Sequence, residues 1–131
     1  MGVSRVATPI DIAISGLRLE SMRMKVIAEN IANARTSRTE TGEPYRRKQV
    51  VLETRGGVEA GKVVPDLTGQ LKLLHLPGHP DADAQGMVRM PNVDLPVELM
   101  DMVLASRAYE ANAAMLKRYQ DMVNATLELL R

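Results

Sequence analysis

Residues 26–42 read VIAENIANARTSRTETG, an amphipathic helix that runs into Asn, Thr, Arg and Gly and then stops. Upstream, Thr8 stands as an N-cap, Pro9 fits the first helical position and Asp11 follows three residues after the cap, so a helix is predicted over 8–34. Ile10, Leu17, Met24 and Ile31 recur every seven residues, and Ala13, Ile27 and Ala34 fill the companion seam position, with Glu20 as the break. At ~100° per residue, Ile12, Leu19, Met22 and Val26 gather on the opposite face. One partner helix covers one face only, so this helix is expected to have neighbours on both sides, its second face staying open in a lone chain. Asn30, Asn33 and Thr36 stand where it ends; Asn tolerates the left-handed conformation and can cap free carbonyls.

A longer helix is predicted over 95–130, with Asp94 as N-cap and Pro96 in the tolerated first turn. Met102, Tyr109, Leu116, Val123 and Leu130 repeat every seven residues beside Ala108, Met115, Met122 and Leu129. Together they form an apolar arc wider than the ~100° stripe that a surface helix needs. Arg107, Glu110, Lys117, Arg118, Asp121, Asn124 and Glu128 occupy the other side.

Between the helices, Gly42, Gly56, Gly57, Gly61, Gly69, Gly78 and Gly86 alternate with Pro44, Pro65, Pro77, Pro80 and Pro91. Short strands are expected at 45–54, 70–76 and 86–90, and Arg46, Arg47 and Lys48 form a charged edge that resists stray strand pairing. The fold class is therefore mainly α. Long N- and C-terminal helices pair as a coiled-coil-like hairpin, with a small β-rich, loop-rich insertion between them. The three parts are 1–35, 36–93 and 94–131. Contiguous apolar surface that the two helices cannot hide on each other marks an association site. Ordering costs about 1.5 kcal/mol per residue, so much of the helical part is expected to order only on assembly.

The composition fits that picture. A chain of 131 residues bounds one domain. Net charge is +1 with 25% charged residues, which lends nucleic-acid binding no support. With no Cys, disulfides and thiol chemistry are excluded. No Phe or Trp is present, only three Tyr, while nine Met join the aliphatics, a set suited to helix seams. No apolar run approaches the ~20 residues of a membrane span. The N-terminal stretch, interrupted by Pro9, Asp11 and Ser15, does not read as a cleavable signal.

Catalytic chemistry finds no footing. Neither a Gly-x-Ser-x-Gly elbow nor a phosphate-binding glycine loop is present. His75, His79, Asp81 and Asp83 offer metal-ligand atoms, but their spacing matches no ligand frame, and Pro77 and Pro80 force an extended backbone. No catalytic residue, cofactor or metal is expected. Arg35, Arg38, Arg46, Arg47 and Lys48 are the residues on which the alternative, a nucleic-acid or membrane-surface binding protein, would rest, but Glu40 and Glu43 dilute that patch.

AENIANART (28–36), with SGLRLESMRMKVIA (15–28) before it, resembles the N-terminal signature of the flagellar basal-body rod proteins, shared with hook-type axial proteins. SRAYEANAAML (106–116) resembles that family's C-terminal helix motif. PGHPDADAQGMVRMPNVD (77–94) and TSRTETGEPYRRKQVVLE (36–53) are similar to segments of a proximal-rod member. The resemblance implies a structural, non-enzymatic subunit of the rod that crosses the periplasm, or else another rod or hook-type axial protein. Its implied partners are other rod proteins, copies of itself and the flagellar type III export apparatus, with no nucleic acid and no direct membrane insertion. Export without signal cleavage is implied too. The subunit contacts it implies are Leu17, Leu19, Met24, Val26, Ile27, Asn30, Ile31 and Asn33 on the first helix, and Arg107, Tyr109, Glu110, Asn112, Leu116, Val123 and Leu130 on the last. Tyr109 would be a seam residue whose hydroxyl reaches a neighbour, and Arg107 and Glu110 charge contacts.

Overall fold

A computed structural model describes residues 6–55 and 58–131. In chain order the elements are α1 (Pro9–Ala32), β1 (Lys48–Arg55), β2 (Val58–Pro65), β3 (Lys72–His75), β4 (Met87–Met90) and α2 (Leu95–Leu129). The strands form two antiparallel pairs, β1 with β2 and β3 with β4. Gly56 and Gly57, named above among the glycines of the middle segment, lie outside the described residues.

Thr8 and Asp11 form the reciprocal cap that their spacing suggests: the Asp11 N–H donates to Thr8 Oγ1 at 3.2 Å, and the Thr8 N–H donates to Asp11 Oδ2 at 3.0 Å. At the other end, Asn33 closes the helix with its side chain, Nδ2 donating to the Glu29 carbonyl at 2.9 Å. Its φ is −104°, so the left-handed conformation considered for it is not used. Asp94 occupies the N-cap position of α2 but makes no side-chain cap, a second departure from expectation.

The helices run antiparallel. Gly16 meets Asn112, and Asn30 meets Glu98 at 3.3 Å. A Cβ on Gly16 would lie 2.7 Å from Asn112 Nδ2, so glycine permits the close approach at that crossing. This register sets Pro9 level with roughly residue 119 at equal rise per residue. α2 therefore runs on past α1, and residues 121–131 are all exposed.

The second face of α1 departs from expectation. It does not stay open, because the β1–β2 hairpin covers it. A Cβ on Gly61 of β2 would lie 2.8 Å from Met22 Sδ and from Val50 Cγ1 and 3.0 Å from Leu19 Cδ1, so three apolar side chains converge on a bare backbone there. Leu19 and Val26 are buried on this side, and Ala13, Glu20 and Ile27 are buried on the Gly16 side. Each fully buried aliphatic contributes about 1.5–3 kcal/mol. Ile12, at 53% exposed, is the member of the second series left outside. Strand β2 escaped sequence reading because Gly61 and Pro65 demote VEAGKVVP as a strand. The glycine is the feature that admits Leu19 and Met22.

Glu20 breaks the apolar seam and is buried to 7% exposure; its Oε1 accepts from Arg23 Nη1 at 3.3 Å, while Oε2 has no hydrogen-bond partner. An uncompensated carboxylate oxygen in a helix seam is destabilising. Glu20→Leu should raise stability by about 1 kcal/mol, read as a higher denaturation midpoint of the purified chain; a drop of similar size would mean that the carboxylate is better satisfied than this geometry allows.

Candidate assembly interface

Two features organise the surface: a buried polar node that fixes the frame, and apolar ridges that the frame leaves uncovered.

The node is centred on Asn30, 1% exposed. Its Oδ1 accepts from the Tyr45 hydroxyl at 2.8 Å and from the Lys48 backbone N–H at 2.9 Å. Its Nδ2 donates to the Lys48 carbonyl at 2.9 Å and to Glu98 Oε2 at 3.3 Å. Both donors and both acceptors of the amide are thus used. The other Glu98 oxygen accepts from Arg47 Nε. Arg47 also lies 3.7 Å from Asp101 and 3.9 Å from Asp66, and its backbone N–H donates to Asn92 Oδ1 at 2.8 Å. Glu98 is completely buried and tolerable only because it is paired and hydrogen-bonded. The node thereby joins α1, β1 and α2 at one register. Burial, then the negative charges of Glu29 and Glu98, push the Tyr45 phenol up to about 12. The Thr68 hydroxyl, followed by the backbone N–H groups of Gly69 and Thr68, holds the Asp66 carboxyl below its usual value.

The candidate contact residues divide by this geometry. Leu19, Val26, Ile27 and Asn30 are buried within the chain, so in this conformation none of them is free to meet a neighbour. Leu17, Met24, Ile31, Asn33, Asn112 and Leu116 are half-buried. Arg107, Tyr109, Glu110, Val123 and Leu130 are exposed. The helical spacing of Asn30 alone could not reveal its role, because its partners come from the loop before β1, from the first residue of β1 and from the first turn of α2. Glu98 and Arg47 were missed as a pair for the same reason, being 51 positions apart in sequence.

The largest uncovered apolar surface is on α2. Val97, Met100, Leu104, Met115 and Met122, spaced to share one helix face, are all exposed. Beyond α1 the exposed set continues with Val123, Leu127, Leu129 and Leu130. Leu73 and Leu74 of β3 add a smaller patch. No helix among the described residues is long and apolar enough to cross a membrane. The basic residues of the middle segment do not form a common patch: Arg47 enters the node, Arg38 pairs with Asp81 at 3.1 Å and Lys48 with Glu29 at 2.5 Å. The His-Asp loop is likewise engaged in holding itself. Asp81 accepts from Ser37 Oγ at 2.6 Å, and Asp83 Oδ1 accepts from the backbone N–H groups of Gln85 and Met87. No group of three or more metal-ligating side chains occurs among the described residues.

A fixed helix pair whose longer member presents an uncovered apolar ridge defines a subunit of an assembly. The chain belongs to the flagellar basal-body rod protein family. Residues 10–38 match the family model described as flagella basal body rod protein, and residues 84–129 match the one described as flagellar basal body rod FlgEFG protein C-terminal. The chain is 42% identical to the flagellar basal-body rod protein FlgC of Agrobacterium fabrum, over 92% of this chain and 91% of that one. It is 41% identical to FlgC of Escherichia coli, over 91% and 93% of the two chains. Against FlgC of Bacillus subtilis the identity is 33%, over 92% and 95%. The two matched regions contain the two helices that the node locks together.

Because the phenol of Tyr45 is raised from 10.0 to about 12, its neutral form stabilises the fold below pH 10, and that contribution disappears as the pH rises through about 12. Denaturation midpoints measured from pH 9 to 12 should therefore fall more steeply for the native chain than for Tyr45→Phe, which carries no such proton. Parallel slopes would remove Tyr45 from the node.

Proposed function

We infer that this chain is a structural subunit of the bacterial flagellar basal-body rod, packing with copies of itself and with other rod proteins through its terminal helices. The observation that carries the reading is the apolar ridge of α2 on Val97, Met100, Leu104, Met115 and Met122, left uncovered by the chain's own α1. The family likeness over most of the chain supports it, the relatives being rod proteins by name. The reading is of a proximal-rod, non-enzymatic component.

In this function the helices carry load. A rod turns as one body only if torque passes through many side-by-side contacts, and long helices with apolar ridges supply such contacts without specific chemistry. Coiled-coil-like knobs-into-holes packing of α1 on α2 and on neighbouring helices is the arrangement that their seven-residue repeats favour. The same helices would form the wall of the channel through which later subunits are exported. Delivery is by the flagellar type III export apparatus, with the N-terminus uncleaved, to the periplasm-spanning rod. Passage as an unfolded chain and ordering of the outer helical turns on arrival fit a helix that has no covering partner of its own. Tyr109, Val123, Leu130, Arg107 and Glu110, all exposed, are the candidate contacts that a neighbour can still reach.

The test is to replace exposed ridge residues that the fold does not use. A Met115→Asp, Met122→Asp double variant should keep the native circular dichroism spectrum and thermal midpoint within a few degrees. In cells that depend on it, motility should be lost and the variant should be missing from isolated basal bodies. Normal swimming with the variant in place would refute assembly through this ridge.

A further inference from the structure

We propose that the groove between α1 and β2 receives the overhanging end of α2 from a second copy of this chain, an inference that rests on the rod-subunit reading and names one of its contacts. The groove has a volume of about 750 Å³, and its lining includes Ile14, Arg18, Met22, Val58 and Ala60. Ile14, Arg18 and Met22 follow one another at four-residue steps on the side of α1 that faces away from Gly16, where α1 touches its own α2. The chain's own α2 is thus held on the wrong side of α1 to fill it. The complementary piece is residues 121–131, all exposed, where Met122, Val123, Leu127, Leu129 and Leu130 have no cover.

Charge fits the same occupant. Asp11, Arg18 and Glu59 border the apolar floor of the groove, and the overhang carries Asp121, Glu128 and Arg131, so the one arginine of each patch meets two carboxylates on the other. Shape and position fit as well. Groove and overhang are different patches of one molecule, so the contact is heterologous, and repeated heterologous contacts that do not close a ring generate a helical filament. The overhang begins near the level of Pro9 and leads away from the groove. A parallel copy therefore brings its overhang to the groove only when shifted along the helix axis, by roughly 25 Å for about sixteen residues of helical rise. Parallel copies staggered along an axis are the arrangement of a shaft.

The absence of Cys makes the test direct, since this chain can enter a disulfide only through an introduced residue. Ala60→Cys places a thiol in the groove and Leu127→Cys places one on the overhang, both at exposed positions. The two single-Cys chains, tagged to differ in mass, are produced together in cells lacking the native chain; the cells are oxidised and basal bodies are isolated for non-reducing electrophoresis. The expected product is a disulfide dimer holding one of each chain, at least tenfold more abundant than when Lys117→Cys, on the polar side of α2, replaces Leu127→Cys. Both chains present in basal bodies without that dimer would overturn this contact and leave the rod-subunit reading standing. A cross-link joining Ala60→Cys only to a different basal-body protein would overturn the choice of a second copy as occupant. Absence of both chains from basal bodies would overturn the rod-subunit reading and this contact with it.

Discussion

A helix of 35 residues lies against one of 24, and the rest of the molecule answers to that mismatch. The shorter helix is covered on two sides, by α2 and by the β1–β2 hairpin. The longer one is covered along a single strip, marked by Glu98 and Ala105, its only buried residues. Much of the remaining apolar surface of α2 faces outward, first along Val97, Met100 and Leu104 and then along the turns that pass beyond α1. A hydrophobic surface of this extent is uncommon on a molecule that works alone.

The polar node sets how that surface is aimed. Asn30, Tyr45, Arg47 and Glu98 add little net stability as charged and polar groups, since their desolvation cost offsets much of what their pairing contributes. Their value lies in position. A slide of one residue between α1 and α2 would leave Glu98 buried without Arg47 and without the Asn30 amide, so competing registers are penalised heavily. The ridges on α2 are then held at a fixed angle and height relative to the hairpin, as repeated packing of identical subunits requires.

Much of this was legible in the sequence, and the limits have physical causes. Thr8, Pro9 and Asp11 announced the start of α1 because capping is local chemistry. The seven-residue repeats announced both helices, because burial of one face imposes periodicity. The excess width of the α2 arc was also readable, and the exposed Met115, Met122, Leu129 and Leu130 are its members. What the sequence concealed was non-local. The second face of α1 looked like a site for a neighbouring subunit, yet Leu19 and Met22 pack on a strand whose central Gly61 hides its strand character. Asn30 looked like part of a helix stop; its amide is instead spent on Tyr45, Lys48 and Glu98, partners up to 68 positions away. Arg47 looked like one cation among several, and only the folded chain separates it from Arg46 and Lys48. Family likeness pointed to the contact helices, but likeness cannot sort residues that face inward from those that face a neighbour.

Amide hydrogen exchange, compared between the dilute free chain and isolated rods, probes the uncovered helix end most directly. In the free chain, amides near Asn30 and Ala105 should exchange slowly and those of residues 121–131 quickly, because that end of α2 has no packing to hold it closed. In rods the same end should become protected to a level comparable with the node. Strong protection of residues 121–131 in the dilute monomer, unchanged on assembly, would mean that the helix end is already satisfied, and the case for a subunit completed by its neighbours would fail.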